Sequence, residues 1–391
     1  MAALGVCLWL AGPAAVGALA EESVEERLDH IESRLDQMSG GGGDGHGGGK
    51  LSFHGYGELH FNSPEGSGVP DDNNPAIMDL HRMVWGVSYQ FNDRISVHTE
   101  VDFEHAATEI ELEFAYLDFL VTPAFNVRTG SMLMPVGPLN EYHEPPLFYS
   151  VERPYVQRTI IPTTWQEGGV GIFGSVPAGL KYRVYLVSGL NAEGFTASNG
   201  IRNGRTHVAE APSDEFAIVG RLEYVGLPGV DLGLSVYQGG ANTTKNPALG
   251  DAGVGILEAD ARLRMAGLDL RGVVASINVD SAAEISTFTG EDVGEEMMGW
   301  YLEAAYDFLK LLTPDSNQSV FAFIRYEDFD TQKSMPTGFT KNPANERQVM
   351  TVGVSYLPIP DVAIKADLES WEDGADNDGS RFNLGVGYQF H

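Results

Sequence analysis

From Lys50 onward the chain alternates apolar and polar residues with a period of two. Leu51, Phe53, Gly55, Gly57, Leu59 and Phe61 fall on one face, and Ser52, His54, Tyr56, Glu58 and His60 on the other. The pattern returns to the end of the chain. Ile95, Val97, Thr99, Val101 and Phe103 oppose Arg94, Ser96, His98, Glu100, Asp102 and Glu104; Ile110, Leu112, Phe114 and Tyr116 oppose Glu111, Glu113 and Ala115. Later runs place Leu180 to Leu186, Leu257 to Met265, Val362 to Leu368 and Phe382 to Phe390 on apolar faces opposite charged, polar or small residues and Tyr185. Successive side chains of a strand point to opposite sides, so each run predicts a strand with one apolar and one polar face.

A soluble β-sandwich alternates in the same way, and two further features separate the cases. The runs have the length of a tilted strand crossing a bilayer, about 9–11 residues. The connections also alternate in length. Short ones fall at 92–93, 120–124, 175–179, 225–229, 266–267 and 357–360, and long ones at 62–80, 134–166, 189–215, 238–254, 278–299, 330–346 and 371–380, with 105–108 a brief member of the long set. Short turns at one end and long loops at the other describe an outer-membrane barrel. The expected fold is all-β, a transmembrane antiparallel β-barrel of about 16 strands. An even strand number leaves both termini in the periplasm. Trp85, Tyr89, Phe91, Trp300, Tyr306, Phe308, Tyr326, Tyr356 and Tyr388 are placed to form interfacial girdles. The charges on the polar faces are too many for a packed core, where each would need a partner, and suit a wall facing water.

The N-terminus adds three pieces. Residues 1–20 are apolar and small and end Ala18-Leu19-Ala20 before Glu21-Glu22, which reads as a signal peptide. Residues 21–39 space Val24, Leu28, Ile31, Leu35 and Met38 as an a/d seam, predicting a short coiled-coil helix in the periplasm. So short a seam needs something else to gather its copies, and a homotrimer of barrels would do so. Residues 40–50 are a Gly-rich linker, followed by the barrel over 51–391.

Composition narrows the function. The formal net charge is -31, against a nucleic-acid partner, since phosphates call for a basic surface. Acidic outer loops fit contact with membrane lipid and lipopolysaccharide through divalent cations, or a bias toward cations in a pore. The one cysteine, Cys7, lies in the predicted signal peptide, so the mature barrel is expected to hold no disulfide or Cys-based metal site. No cofactor or metal is expected: Asp44 with His46 is too sparse, and the Asp373 to Gly379 run misses the spacing of a calcium loop. No nucleophile–base set or G-x-S-x-G elbow is present, which argues against an enzyme.

Segment 134–166 departs from the alternation. Its prolines, at 135, 138, 145, 146, 154 and 162, exclude a ladder strand or regular helix. Its aromatic and aliphatic content is unlike a solvated loop, and a loop this long usually has a function. The runs Pro135-Val136-Gly137, His143-Glu144-Pro145-Pro146, Arg153-Pro154 and Ile160-Ile161-Pro162-Thr163-Thr164-Trp165 resemble porins related to the phosphate-selective porin O and P family. The resemblance is clearest over residues 125–175. It implies a trimeric 16-stranded outer-membrane channel with an N-terminal extension and an inward-folded constriction loop at 134–166.

Glu141, His143, Glu144, Glu152, Arg153 and Arg158 are the expected constriction residues, and Arg82, Arg94, Arg128 and Arg183 the expected basic wall. With Glu141, Glu144, Glu152 and Glu167 beside two arginines, the loop fits a transverse field between acidic and basic groups better than a basic phosphate ladder. The expected role is passive diffusion of small hydrophilic solutes or ions. The alternatives are a substrate-specific anion channel and a structural barrel with a closed lumen.

Overall fold

The computed structural model describes residues 50–69 and 75–391; the expected signal peptide, coiled coil and most of the linker lie outside them. Sixteen strands follow one another: β1 (Lys50–Gly66), β2 (Ile77–Asn92), β3 (Ile95–Glu104), β4 (Glu109–Thr122), β5 (Phe125–Leu133), β6 (Gln166–Val176), β7 (Leu180–Ser188), β8 (Phe216–Leu227), β9 (Val230–Gly240), β10 (Gly253–Met265), β11 (Leu268–Asp280), β12 (Glu296–Asp307), β13 (Ser319–Ser334), β14 (Glu346–Ile359), β15 (Val362–Asp373) and β16 (Asp378–Phe390). Each pairs antiparallel with its sequence neighbours, and β1 closes on β16 from Gly55 opposite Phe390 to Gly66 opposite Gly379. Closure removes every sheet edge and satisfies the backbone within the ladder, the condition for crossing hydrocarbon with strands.

The apolar face points outward. Phe53, Trp85, Ile110, Leu257, Leu302, Ile324 and Leu368 are all exposed. The polar face points inward and is packed, with Arg82, Glu258, Arg325, Glu327 and Glu369 fully buried. Several turns follow from local chemistry. Ala266 and Gly267 both take positive φ, 50° and 85°, as a two-residue hairpin turn requires. Asn92 Oδ1 accepts from the amides of Arg94 and Ile95 at 2.9 and 3.1 Å, which fixes the β2–β3 turn.

Four features differ from the sequence expectation. In β4 the register passes from Glu100 opposite Phe114 to Val101 opposite Leu112, so Glu113 is an extra residue. That bulge reverses the faces beyond it. Phe114 and Tyr116 therefore point inward, Tyr116 lying 5.3 Å from the His98 ring, whereas unbroken alternation put both on the apolar face. The expected long connection at 371–380 shrinks to 374–377, because Asp373 folds back on the amides of Ala375 and Asn377 and on the Asn377 side chain. The β12–β13 connection, 308–318, holds a single turn of helix, α2 (Leu309–Leu312), which no periodicity announced.

The fourth difference concerns the interior. It is polar over only part of its surface. At the end with the long connections, Val187, Val219, Tyr237, Ile256, Ile277 and Tyr301 face inward. They pack with Phe195, Ile201, Leu249 and helix α1 (Ala282–Thr289) from the loops. The loops fold into the barrel mouth because they carry apolar residues of their own to bury.

Candidate pore constriction

Segment 134–166 leaves β5 and returns to β6. Its base is stapled by Asn140, whose side-chain amide donates to the carbonyls of Met134 and Trp165 at 2.7 and 2.8 Å while its oxygen accepts from Trp165 N at 2.9 Å. Met134 N also donates to Trp165 O at 2.9 Å. Proline-rich backbone cannot satisfy its own polar groups by a ladder, so they turn to wall side chains. Gly137 N donates to Ser235 Oγ on β9, and Tyr149 Oη to Asp269 on β11. Val156 N donates to Glu327 on β13, and Val151 N to Asp367 on β15. Arg82 on β2 donates to His143 O at 3.0 Å. These partners stand on widely separated arcs of the barrel, so the segment crosses the interior.

The expected loop residues take different positions. His143 is buried, with Nε2 2.5 Å from Glu113 Oε1 and 2.7 Å from Tyr56 Oη and Nδ1 2.9 Å from Asn140 O. Glu141 pairs with Arg183 at 3.2 Å. Glu152 accepts from Asn62 at 3.1 Å and lies 3.4 Å from His60 Nδ1. Burial alone would raise the Glu152 carboxyl, but the hydrogen bond and charge of His60, followed by the charge of Arg381, hold it well below the usual carboxylate range. Glu144 Oε2 and Arg153 Nη1 are buried without a hydrogen-bond partner among the described residues. Arg158 is exposed on a π-helical turn, Val156–Ile160.

The expected wall arginines divide. Arg82 is fully buried, bonded to Glu58 at 2.6 Å and Tyr56 Oη at 3.2 Å. Arg128 forks onto Asp118 at 2.8 and 2.9 Å and stacks 3.8 Å over the Tyr116 ring. Arg183 bridges Glu141 and Glu223. Arg94 stands apart: it lies in the exposed β2–β3 turn, outside the strands, so it is no part of the wall. Its place at a strand end gave it the right parity but the wrong depth.

Charges around the wall interleave. Arg221 contacts Glu223, Glu258 and Asp260; Arg271 contacts Asp269 and Glu303; Arg325 contacts Glu303 and Glu327; Arg381 contacts Glu369. One place segregates them. Asp102, Glu104, Glu111 and Glu113 line a cleft on β3 and β4 together with Leu133, Thr164, Gln166 and His207. Near it, the positive charges of Arg205, Arg158 and Arg153 all act on Arg202, while Glu104 attracts Arg202 and Glu111 and Glu104 attract Arg205. Arg202 and Arg205 come from the β7–β8 connection, where they clamp the inner loop by its carbonyls. Arg202 donates to Arg158 O at 3.0 Å and to Thr163 O, and Arg205 to Thr164 O at 2.5 Å. Burial and these two arginines push the His207 imidazole down to about 4, so its 3.6 Å approach to Glu111 is made by a neutral ring at pH 7.

Sequence reasoning missed Arg202 and Arg205, which lie in a loop without periodicity. Arg221 and Arg325 were within its reach, since both alternate with apolar residues along β8 and β13.

Comparison with known proteins adds to this geometry. No family model matches the chain. Among solved structures, it is similar to the outer membrane channel DcaP of Acinetobacter baumannii (TM-score 0.57, 11% identity, 89% of this chain and 99% of that one). The anion-selective porin of Comamonas acidovorans gives a TM-score of 0.55 at 10% identity, over 88% of this chain and 100% of that one. OmpT of Vibrio cholerae, an outer membrane protein in a trimer form, gives 0.55 at 11%, over 88% and 100%. At such identities the likeness is one of fold, the closed 16-stranded barrel. An uncharacterized protein of Aquifex aeolicus (strain VF5) is 37% identical over 350 residues, covering 84% of this chain and 78% of that one. The chain belongs to one family with that Aquifex aeolicus protein, and its fold is that of the outer-membrane porins.

Proposed function

We propose that the protein is an outer-membrane porin, a water-filled channel for passive diffusion of small hydrophilic solutes or ions that catalyses no reaction. The observation that carries this reading is a closed barrel, apolar outside and charged inside, with a 33-residue segment, 134–166, folded across its lumen. Residues Glu141, His143, Glu144 and Glu152 brace or line the constriction. Arg153 and Arg158 join Arg202 and Arg205 on its basic side, opposite Asp102, Glu104, Glu111 and Glu113. Such opposed charges orient a passing solute across the pore axis. The protein is further proposed to form a homotrimer with both termini in the periplasm. The seam at 21–39 supports the oligomer, as does the trimer form of the similar Vibrio cholerae protein.

Two other readings have an observation each. The four-arginine cluster, with the sequence resemblance over 125–175, favours a channel selective for phosphate-like anions. The apolar packing at the barrel mouth favours a narrow or closed lumen. Planar-bilayer recording of the purified full chain separates them. Stable small openings with weak ion preference are expected. A reversal potential of strong anion preference in a salt gradient would select the second reading, and a silent bilayer the third.

A further inference from the structure

Asp79 and His81 lie on β2 and His105 directly follows β3, and one ligand atom from each of the three lies within 4.8 Å of the others. The grouping has a structural cause. The β1–β2 register passes from Glu58 opposite Arg82 to Leu59 opposite Leu80, so His81 is the extra residue of a bulge. A bulge re-aims a side chain that alternation would send elsewhere. Here it turns His81 into the lumen, stacked on the His60 ring at 4.7 Å and 14°. His60 in turn reaches Glu152 of the inner loop, which fixes the side of the wall. Asp79 Oδ2 then stands between two ring nitrogens, 2.7 Å from His105 Nδ1 and 3.4 Å from His81 Nδ1.

We propose that Asp79, His81 and His105 form a binding site for a divalent transition-metal cation of the zinc class, at the lumen mouth on the side of the long connections. Zinc binds imidazole nitrogen and carboxylate oxygen at about 2.0–2.2 Å, which puts tetrahedral ligand atoms roughly 3.4 Å apart. The His81–Asp79 separation, 3.4 Å, has that value, and the His105–Asp79 hydrogen bond, at 2.7 Å, has to open by roughly 0.7 Å to match it. Two imidazoles and one carboxylate are too few and too nitrogen-rich for calcium or magnesium, which take six or more oxygens. His105 is partly exposed, so the cation has an entry path and room for water in the remaining position. A bound cation would place positive charge beside Glu58 and Glu152, the carboxylates nearest His60.

The test is calorimetric titration of zinc chloride into the folded full chain, made without a histidine tag. One zinc ion per chain is expected to depend on these residues. His81→Ala and His105→Ala should each weaken binding at least about tenfold, the loss usual for disturbing a metal site. Asp79→Asn, nearly isosteric, gives the same answer if either alanine variant fails to fold. His54→Ala removes another histidine–carboxylate pair, with Glu100 at 2.9 Å, and should leave this affinity unchanged. The proposal is overturned if no zinc binds, if affinity survives His81→Ala and His105→Ala, or if His54→Ala costs as much as they do.

Discussion

Arg325→Met tests whether the wall holds the inner loop by charge. Arg325 is fully buried and bonds Glu327 at 2.8 Å, Glu303 at 3.1 Å and Ser150 Oγ at 2.6 Å. Glu327 is itself the acceptor for Val156 N, so two loop anchors meet at one guanidinium. Methionine fills similar space but leaves Glu327 without its cation and Glu303 with only Arg271, at 3.7 Å. Removing one partner of a buried pair costs about 3–5 kcal/mol. If relaxation is confined to the loop, each 1.4 kcal/mol multiplies the open population tenfold, a rise of roughly 150- to 4,000-fold. The reporter is Val151→Cys, at a buried position whose amide is bonded to Asp367. Its thiol-labelling rate tracks local opening. Arg325→Met should raise that rate by about two orders of magnitude or more and add open-channel noise in bilayers, with Arg325→Lys in between. Unchanged labelling and conductance in a folded Arg325→Met barrel would refute electrostatic anchoring.

Three further outcomes follow from the same packing. Trp165→Ala empties a fully buried site on Tyr237, 5.0 Å between rings, and should cost about 3–5 kcal/mol in denaturant unfolding from detergent; a loss under about 1 kcal/mol would mean the loop base is held by the hydrogen bonds of Asn140 and Met134 and not by the ring. Ile324→Arg puts a charge on the outer face between Val352 and Ala304 and should cost about 2–4 kcal/mol in folding into lipid vesicles, whereas a near-zero cost would place that face in water. His207 titrates near 4, lowered by burial and then by Arg205 and Arg202. Because its folded value lies below the ordinary 6.5, the contribution of the neutral ring is complete above pH 6.5 and is lost as pH falls through 4. Imidazole NMR shifts report this, and a midpoint at or above 6.5 would contradict the lowering by burial and by the charges of Arg205 and Arg202.

Much of the barrel was legible because strand alternation is a one-dimensional signal. Leu51 to Phe61 and Leu257 to Met265 face as their parity requires, and the turn at Ala266–Gly267 falls where the pattern breaks. Parity itself fails where one residue is inserted. Glu113 flips Phe114 and Tyr116 inward, and His81 joins Arg82 on the lumen side, because a bulge shifts parity without leaving a compositional mark. Arg94 shows the complementary error: parity says which side a residue takes, not how far along the barrel it stands.

The sequence by itself determined the strand period, the alternation of short and long connections, the acidic balance and the unusual character of 134–166, since each is local or additive along the chain. Tertiary structure alone decided that β1 closes on β16 and that Arg202 and Arg205 meet Arg153 and Arg158 near an acidic cleft. It also decided that apolar loops fill the mouth and that Asp79, His81 and His105 converge. These are contacts between residues distant along the chain or brought together by a bulge. They are set by the requirement that loop backbone and buried charge find partners, a condition satisfied only once the barrel has closed around them.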